Sequence, residues 1–331
     1  MSVAHWSSPA FTDSVTAWVT VQCERLGLRL TGEWEQPHCR PWSSAIRFET
    51  TGGRLWFKVN GPGTRQEAAL VAVLYRLVPA LVPEPVAVDP ARGWSLSVDA
   101  GPALRSLGAP GTLWPAWQHI IAEYAEAQLE LAGHVDVLLA AGVPTVSPVT
   151  QPRQATALLE ELSGLDPDEG GLTDREIDRI SARLPAFDAW CAELAASGIP
   201  DSIQHDDLHS SNICCSPDGA RIIDWGDASV GFPLGTMLCT LNSIAHHAHL
   251  EPDDPQVLGV RDAYLAAFSG YASHADLVRY VDLARRAGCV TRALSYRAAL
   301  LGAPADVHAE LDHPVRGWFL DLLPDLAEPH P

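Results

Sequence analysis

The stretch from Gln204 to Asp227, QHDDLHSSNICCSPDGARIIDWGD, constrains this chain more than any other. Two short apolar runs, Ile213 to Ser216 and Ala220 to Asp224, flank Ser216-Pro217-Asp218-Gly219, whose Pro and Gly suit a tight reversal between strands. A hairpin of that length carries Asp224 back beside Asn212. One carboxylate and one amide oxygen then stand together, a hard-donor pair suited to Mg²⁺, with Asp207 nearby. The run of polar and charged residues between Ile203 and Ile213 is an odd way to connect two apolar strands unless something binds them.

Phosphoryl transfer asks for this inventory. Charge in its transition state is spread over the transferred group, so positioning and Mg²⁺ neutralisation do most of the work, while one carboxylate orients the attacking hydroxyl and accepts its proton. Asp207 is the candidate base; Asn212 and Asp224 are the candidate metal ligands. A different reading makes His205, Asp206, Asp207 and His209 the ligands of a hydrolytic metal centre, as in metal-dependent phosphohydrolases, but leaves Asn212 and Asp224 without a role.

Upstream, the pattern is β-rich. A helix expected from Thr12 or Asp13 to Gly27 precedes strand-like runs at Leu28 to Glu35, Ser44 to Thr50 and Arg54 to Asn60, the last two joined by Thr51-Gly52-Gly53. The period of two in Arg54 to Val59 places Leu55, Phe57 and Val59 on one face and Trp56 with Lys58 on the other. A lysine in the middle of an apolar strand wants an anion. The next helix, Thr64 to Leu77, has Leu70, Val73, Leu74 and Leu77 as its buried stripe, and Glu67 falls on that inward face. A buried carboxylate is costly without a counter-charge, and Lys58 supplies one. A plain interior ion pair is the alternative reading of Lys58 and Glu67. Two further strands, Val86 to Val88 and Trp94 to Val98, follow Pro83-Glu84-Pro85.

These motifs resemble the kinase series H-x-D-x-x-x-x-N followed by a metal-binding Asp, and in detail the aminoglycoside phosphotransferase family of small-molecule kinases. His205-Asp206-Asp207-Leu208-His209-Ser210-Ser211-Asn212 and Ile223-Asp224-Trp225-Gly226-Asp227 carry the resemblance, with Asp206 where that family usually has Gly. The resemblance implies that Lys58 reaches the phosphates of ATP or GTP, that Glu67 holds it, and that Val98 to Ala100 form a hinge whose backbone meets the nucleobase. A glycine-rich phosphate loop is missing before Ser44, so backbone amides and the Ser43 and Ser44 hydroxyls take its place, with Arg40 and Arg47 either adding charge or solvated. Asp227 is open to three roles: ion ligand, helix cap, or partner of a substrate amine. The implied acceptor is a small molecule such as an aminoglycoside, an amino sugar or an amino alcohol. A nucleotide-binding module without turnover is the remaining alternative, against which the intact Asp207 speaks.

From Trp114 helices dominate, over Trp114 to Leu131, Ala155 to Leu162, Thr173 to Ala196 with a Thr173/Glu176 capping box, Gly235 to His247, Pro255 to Phe268 and His274 to Leu301. The expected architecture is therefore an α/β (α+β) bilobal, protein-kinase-like fold. Residues 1–102 form a small antiparallel-sheet lobe for the nucleotide, and residues 103–331 a mainly helical lobe with catalytic loop and acceptor site. A length of 331 residues accommodates both lobes. A formal charge of −19 argues against nucleic acid or an anionic membrane as partner. Seven cysteines, odd in number and without CxxC spacing, point to reduced thiols in the cytoplasm, and Cys214-Cys215 to packing in a strand. No cationic start and apolar h-region is visible, and no eighteen-residue apolar window. His246, His247 and His249 read as a cation-favoured helix end, not a metal site.

Overall fold

A computed structural model describes residues 3–303, 305–311 and 313–323. Two helices, α1 (Val3–Trp6) and α2 (Pro9–Arg25), lead into β1 (Glu35–Cys39), β2 (Ser43–Thr50) and β3 (Gly53–Asn60), then α3 (Glu67–Leu77), β4 (Pro85–Asp89) and β5 (Trp94–Val98). The five strands form one antiparallel sheet in the order β1-β2-β3-β5-β4. α2 starts earlier than its apolar spacing suggests, because Ser8 accepts from the Phe11 N–H and Pro9 occupies the first turn. It ends at Arg25, and Gly27 then takes a left-handed φ of 71°.

The region read as a strand over Leu28 to Glu35 holds, before Glu35, only an isolated bridge between Leu30 and Thr50. The first true strand lies later, at Glu35–Cys39. Pro37 is tolerated there because β1 is the sheet edge and owes no donor to an outer neighbour. The segment expected to be a phosphate loop is consequently strand, tight turn and strand.

The alternation in β3 divides the sheet's two faces. Leu55, Phe57 and Val59 are buried against Phe11, Val15 and Val19 of α2, with Phe57 and Trp94 meeting edge to face at 5.2 Å. Trp56 and Lys58 look the other way, into a cleft. The apolar stripe of α3 does not join this small core. Leu70 and Leu74, both 0 % exposed, pack into the large core of the helical part, with Val73 and Leu77 half-buried against it. α3 is therefore the element that couples sheet to helices.

The remainder comprises α4 (Trp114–Leu131), α5 (Val135–Ala140), β6 (Thr145–Val146), α6 (Gln151–Ser163), α7 (Asp174–Ala195), β7 (Ser202–Gln204), β8 (Ile213–Ser216), β9 (Gly219–Ile222), β10 (Ser229–Gly231), α8 (Met237–Ala248), α9 (Pro255–Leu265), α10 (His274–Ala299), α11 (Ala305–Glu310) and α12 (Pro314–Leu320). α7 opens on the Thr173/Glu176 capping box in both directions. β8 and β9 pair from Ser216↔Gly219 to Ile213↔Ile222, one turn of chain short of Asp224. Among the described residues no helix is long and apolar enough to cross a membrane.

Candidate active site

β3 and α3 deliver the first half of the site. Lys58 Nζ donates to the Glu67 carboxylate at 2.8 Å and also to Asp224 Oδ1, so one ammonium spans sheet, helix and hairpin. Burial alone would push that ammonium down, but Asp224 first and Glu67 next more than offset it, and Lys58 lies above its ordinary range. Glu67, 4 % exposed, also accepts from Asn60 Nδ2 and from the Trp225 backbone N–H at 2.9 Å. Its carboxylate thus fixes the 225 turn as well as the lysine. Lys58 is the only lysine in the chain, whose other basic side chains besides histidine are all arginine.

The hairpin delivers the second half. The Ile223 N–H donates to the Asn212 carbonyl at 2.9 Å, which extends the β8–β9 register and sets Asp224 beside Asn212. Asp224 has φ 67° and ψ 56°, a left-handed conformation that turns its side chain into the cleft, 48 % exposed. Burial raises the Asp224 carboxyl, yet Lys58 outweighs it and holds the group below its usual range. Asn212 spends Nδ2 on the Asp207 carbonyl at 3.0 Å, which leaves its Oδ1 as a donor to a cation. Amide oxygen and carboxylate on one cleft wall are the oxygen set Mg²⁺ takes, and the residues fit it.

Asp207 is reached through a sharply bent loop. His205 Nδ1 accepts from the Asp207 N–H at 3.3 Å and its Nε2–H donates to the Ile223 carbonyl at 2.8 Å. The buried ring lies tilted against Trp225, centroids 4.8 Å apart, and is pushed down to about 4, first by burial, so it stays neutral. Asp207 Oδ1 faces Arg292 Nη2 at 3.3 Å. His209 Nδ1 accepts from the Ser211 N–H at 3.2 Å, leaving the ring proton on Nε2, 3.5 Å from Asp207 Oδ2. Burial opposes ionisation of Asp207, but Arg292 and then His209 overcome it, and the carboxyl lies well below the usual range.

Asp206, where the resembling motif has Gly, takes the glycine-like φ of 61°. Its side chain is 6 % exposed and accepts from Ser229 Oγ at 2.5 Å. Burial pushes it up to about 7. The folded value therefore exceeds the ordinary 3.8, so its contribution to stability is complete below about pH 4 and is lost as pH climbs to about 7. Asp206→Asn keeps the acceptor for Ser229 and removes that loss. Its melting temperature, measured against the parent, is expected to gain progressively from pH 5 to pH 8 and to show no such trend if the group is an ordinary carboxylate.

These groups line two adjoining spaces. The larger is a cleft with about 1530 Å³ of empty space, walled by Trp56, Val71, Val98, Ala100, Ile222 and Ile223, with Lys58, Glu67 and Asn212 at one side. The smaller pocket, about 600 Å³ empty, holds Asp207, Asp227, Arg292, Tyr296, Trp42 and Ser43. Asp224 lines both. At the hinge the Val98 N–H is spent on the Glu84 carbonyl and the Asp99 N–H on the Arg54 carbonyl, while Val98, Asp99 and Ala100 all line the cleft. Gly101 closes the hinge onto β8. It has φ 90°, and a Cβ there would sit 2.4 Å from the Cys215 carbonyl oxygen. Gly101→Ala is expected to destabilise the fold by about 1–3 kcal/mol in denaturant titration, and an unchanged midpoint would contradict this packing.

Other expected residues fall elsewhere. Ser44 is fully buried, accepting from Gln36 and donating to the His38 carbonyl, so it is not brought to the cleft; the strand that replaced the loop turned it inward. The Ser43 hydroxyl meets His38 Nε2 at 3.0 Å. Arg47 is paired with Glu35 at 2.7 Å. Cys214 is buried, its thiol pushed up to about 11 chiefly by burial. The hydrolytic quartet does not converge, because both His205 nitrogens are spent on backbone and Asp206 points to Ser229. Among the described residues no group of three or more His, Cys, Asp or Glu is placed to hold a metal, the His246 region included. Asp227 meets Arg292 Nη1 at 3.0 Å and lines the smaller pocket. Arg292 was not singled out in the sequence. Its signal is a lone charge in the otherwise uncharged run of Cys289 to Leu294, akin to Lys58 in its strand.

The fold is that of the kinase-like phosphotransferases. The chain belongs to the APH phosphotransferase enzyme family, whose model matches residues 39–277. No curated protein matches it. Among solved structures it is similar to a macrolide 2'-phosphotransferase from Brachybacterium faecium, at 16 % identity and TM-score 0.57 over 90 % of this chain and 97 % of that one. A choline kinase from Cryptosporidium parvum aligns at 12 % identity and TM-score 0.60 over 95 % and 98 %. A choline/ethanolamine kinase family protein from Mesorhizobium loti aligns at 19 % identity and TM-score 0.55 over 96 % and 99 %.

Proposed function

We propose that this chain transfers the γ-phosphoryl group of ATP or GTP to a hydroxyl of a small molecule, with residues 1–102 serving the nucleotide and residues 103–331 the acceptor. The observation that carries the reading is Lys58, held by Glu67 and reaching Asp224 across the cleft. In this reading the base lies against the apolar walls at the hinge, near Val98 and Ala100, and the phosphates run towards Lys58. The acceptor takes the smaller pocket, where Asp207 stands, and Asp224 lies where the two spaces meet.

Asn212 and Asp224 would hold Mg²⁺, which when bound neutralises phosphate charge. The protein's own part is positional. Asp207 accepts a hydrogen bond from the acceptor hydroxyl and takes its proton as the oxygen forms its bond to the γ-phosphorus and the bond to the departing nucleoside diphosphate breaks. A carboxylate held in its ionised state by Arg292 is a weak base, which suits a reaction whose nucleophile is deprotonated late. Ser43, which lines the smaller pocket together with Asp224, is proposed to meet the phosphate end of the nucleotide where the two spaces join. The cysteine pattern supports a cytoplasmic enzyme.

The acceptor class proposed is aminoglycoside-, amino-sugar- or amino-alcohol-like, in keeping with structural neighbours that are a macrolide phosphotransferase, a choline kinase and a choline/ethanolamine kinase family protein. The test is nucleotide consumption against a panel of these acceptors. Acceptor-dependent release of nucleoside diphosphate with a phosphorylated product supports the reading. Nucleotide binding without turnover on any acceptor would favour a binding module instead.

A further inference from the structure

The Asp207 side chain is faced by a residue from a remote part of the chain. Arg292 lies on α10, 5 % exposed, and its guanidinium reaches three separate oxygens. Nη1 donates to the Asp206 carbonyl at 2.8 Å and to Asp227 Oδ2 at 3.0 Å, and Nη2 faces Asp207 Oδ1 at 3.3 Å. The Tyr296 ring lies 5.1 Å below the guanidinium carbon and the Trp318 ring 5.7 Å from it, so the fork is held in plane as well as at its tips. Nε finds no partner among the described residues. A buried guanidinium that leaves one N–H unsatisfied is held by what its other nitrogens gain.

What they gain is a junction. The Asp206 carbonyl belongs to a left-handed turn, whose conformation costs free energy unless its surroundings impose it. Asp227 ends the turn that starts at Asp224. Arg292 therefore ties the catalytic loop to the metal-side turn and pins both to α10, with the Asp206–Ser229 hydrogen bond closing the same loop from behind. Without the guanidinium, Asp207 and Asp227 face one another as uncompensated carboxylates, and the Asp207 side chain is free to rotate towards His209.

We propose that Arg292 is a positioning residue for phosphoryl transfer: from α10 it fixes the direction of the Asp207 carboxylate and locks the Asp206 and Asp227 turns together. The inference rests on the reading of Asp207 as base. It implies that the planar fork is required and that a point charge is not enough.

The experiment compares the parent with Arg292→Lys and Arg292→Ala in steady-state nucleotide consumption, using whichever acceptor of the panel the parent turns over, alongside thermal melts. Arg292→Ala is expected to lower kcat by about a hundredfold, the scale of an ångström's misplacement. KM for the nucleotide should stay within twofold, since Lys58, Glu67 and Asp224 are untouched. Added guanidine hydrochloride at millimolar concentration should restore part of that kcat and leave the parent unaffected. Arg292→Lys keeps the charge and is the variant that stands in should the alanine variant not fold; its kcat is expected to fall at least tenfold. A lysine variant matching the parent's kcat, or a loss confined to nucleotide KM, would overturn the proposal. A parent inactive on every acceptor would sink the phosphotransferase reading and this inference with it, a result distinct from an active parent whose variants match it.

Discussion

Asp207→Ala is expected to lose about 10²- to 10⁴-fold in kcat while binding nucleotide within about twofold of the parent, the range a positioned acid or base contributes. The reasoning is local. Asp207 lines the acceptor pocket and not the cleft where Lys58, Glu67 and Asn212 stand, so removing its carboxylate leaves the nucleotide's walls intact. Arg292 keeps Asp227 and the Asp206 carbonyl as partners, so the fold should survive. Acceptor-dependent nucleotide consumption and a melting curve check both halves. Equal turnover by parent and variant would show that another group takes the proton.

Asp224→Asn is expected to cost about 10²- to 10³-fold in kcat, the scale of removing one preorganised electrostatic contact at developing charge. Unlike the first variant it should also abolish any enhancement of nucleotide affinity by Mg²⁺. Asp224 is the group that Lys58 draws from across the cleft, and an amide cannot balance that ammonium. Lys58 would fall back on Glu67 alone, to which it is already bonded at 2.8 Å. Titration calorimetry with ATP, with and without Mg²⁺, separates the two effects. A variant whose nucleotide affinity still rises with Mg²⁺ would remove Asp224 from the ligand set.

The parts of this site legible in the sequence are those set by local periodicity. The pleat of β3 decides that Lys58 faces away from Phe57, and the helical repeat places Glu67 on the inward side of α3. A four-residue turn decides that Asp224 returns to Asn212. Each of these needs only two neighbouring elements. Ser44 went astray because its environment depends on whether residues 38–42 loop out or turn tightly, which the edge position of β1 decides. Arg292 lies 85 residues beyond Asp207 in the sequence, and no short-range pattern joins α10 to the catalytic loop. The core was legible in composition but not in its partition. The stripe of α3 is inward-facing as its spacing implies, yet it packs into the helical part and not under its own sheet.

The central claim is that phosphates of a nucleotide come to rest beside Lys58. Because Lys58 is the chain's only lysine, an acyl-phosphate derivative of ATP, which transfers its acyl group to an amine beside the bound phosphates, reports on that claim with a single expected side-chain target. Peptide mapping should find the label on Lys58, suppressed by excess ATP with Mg²⁺. A label confined to the α-amino group, or one on Lys58 that excess nucleotide does not suppress, would contradict the account.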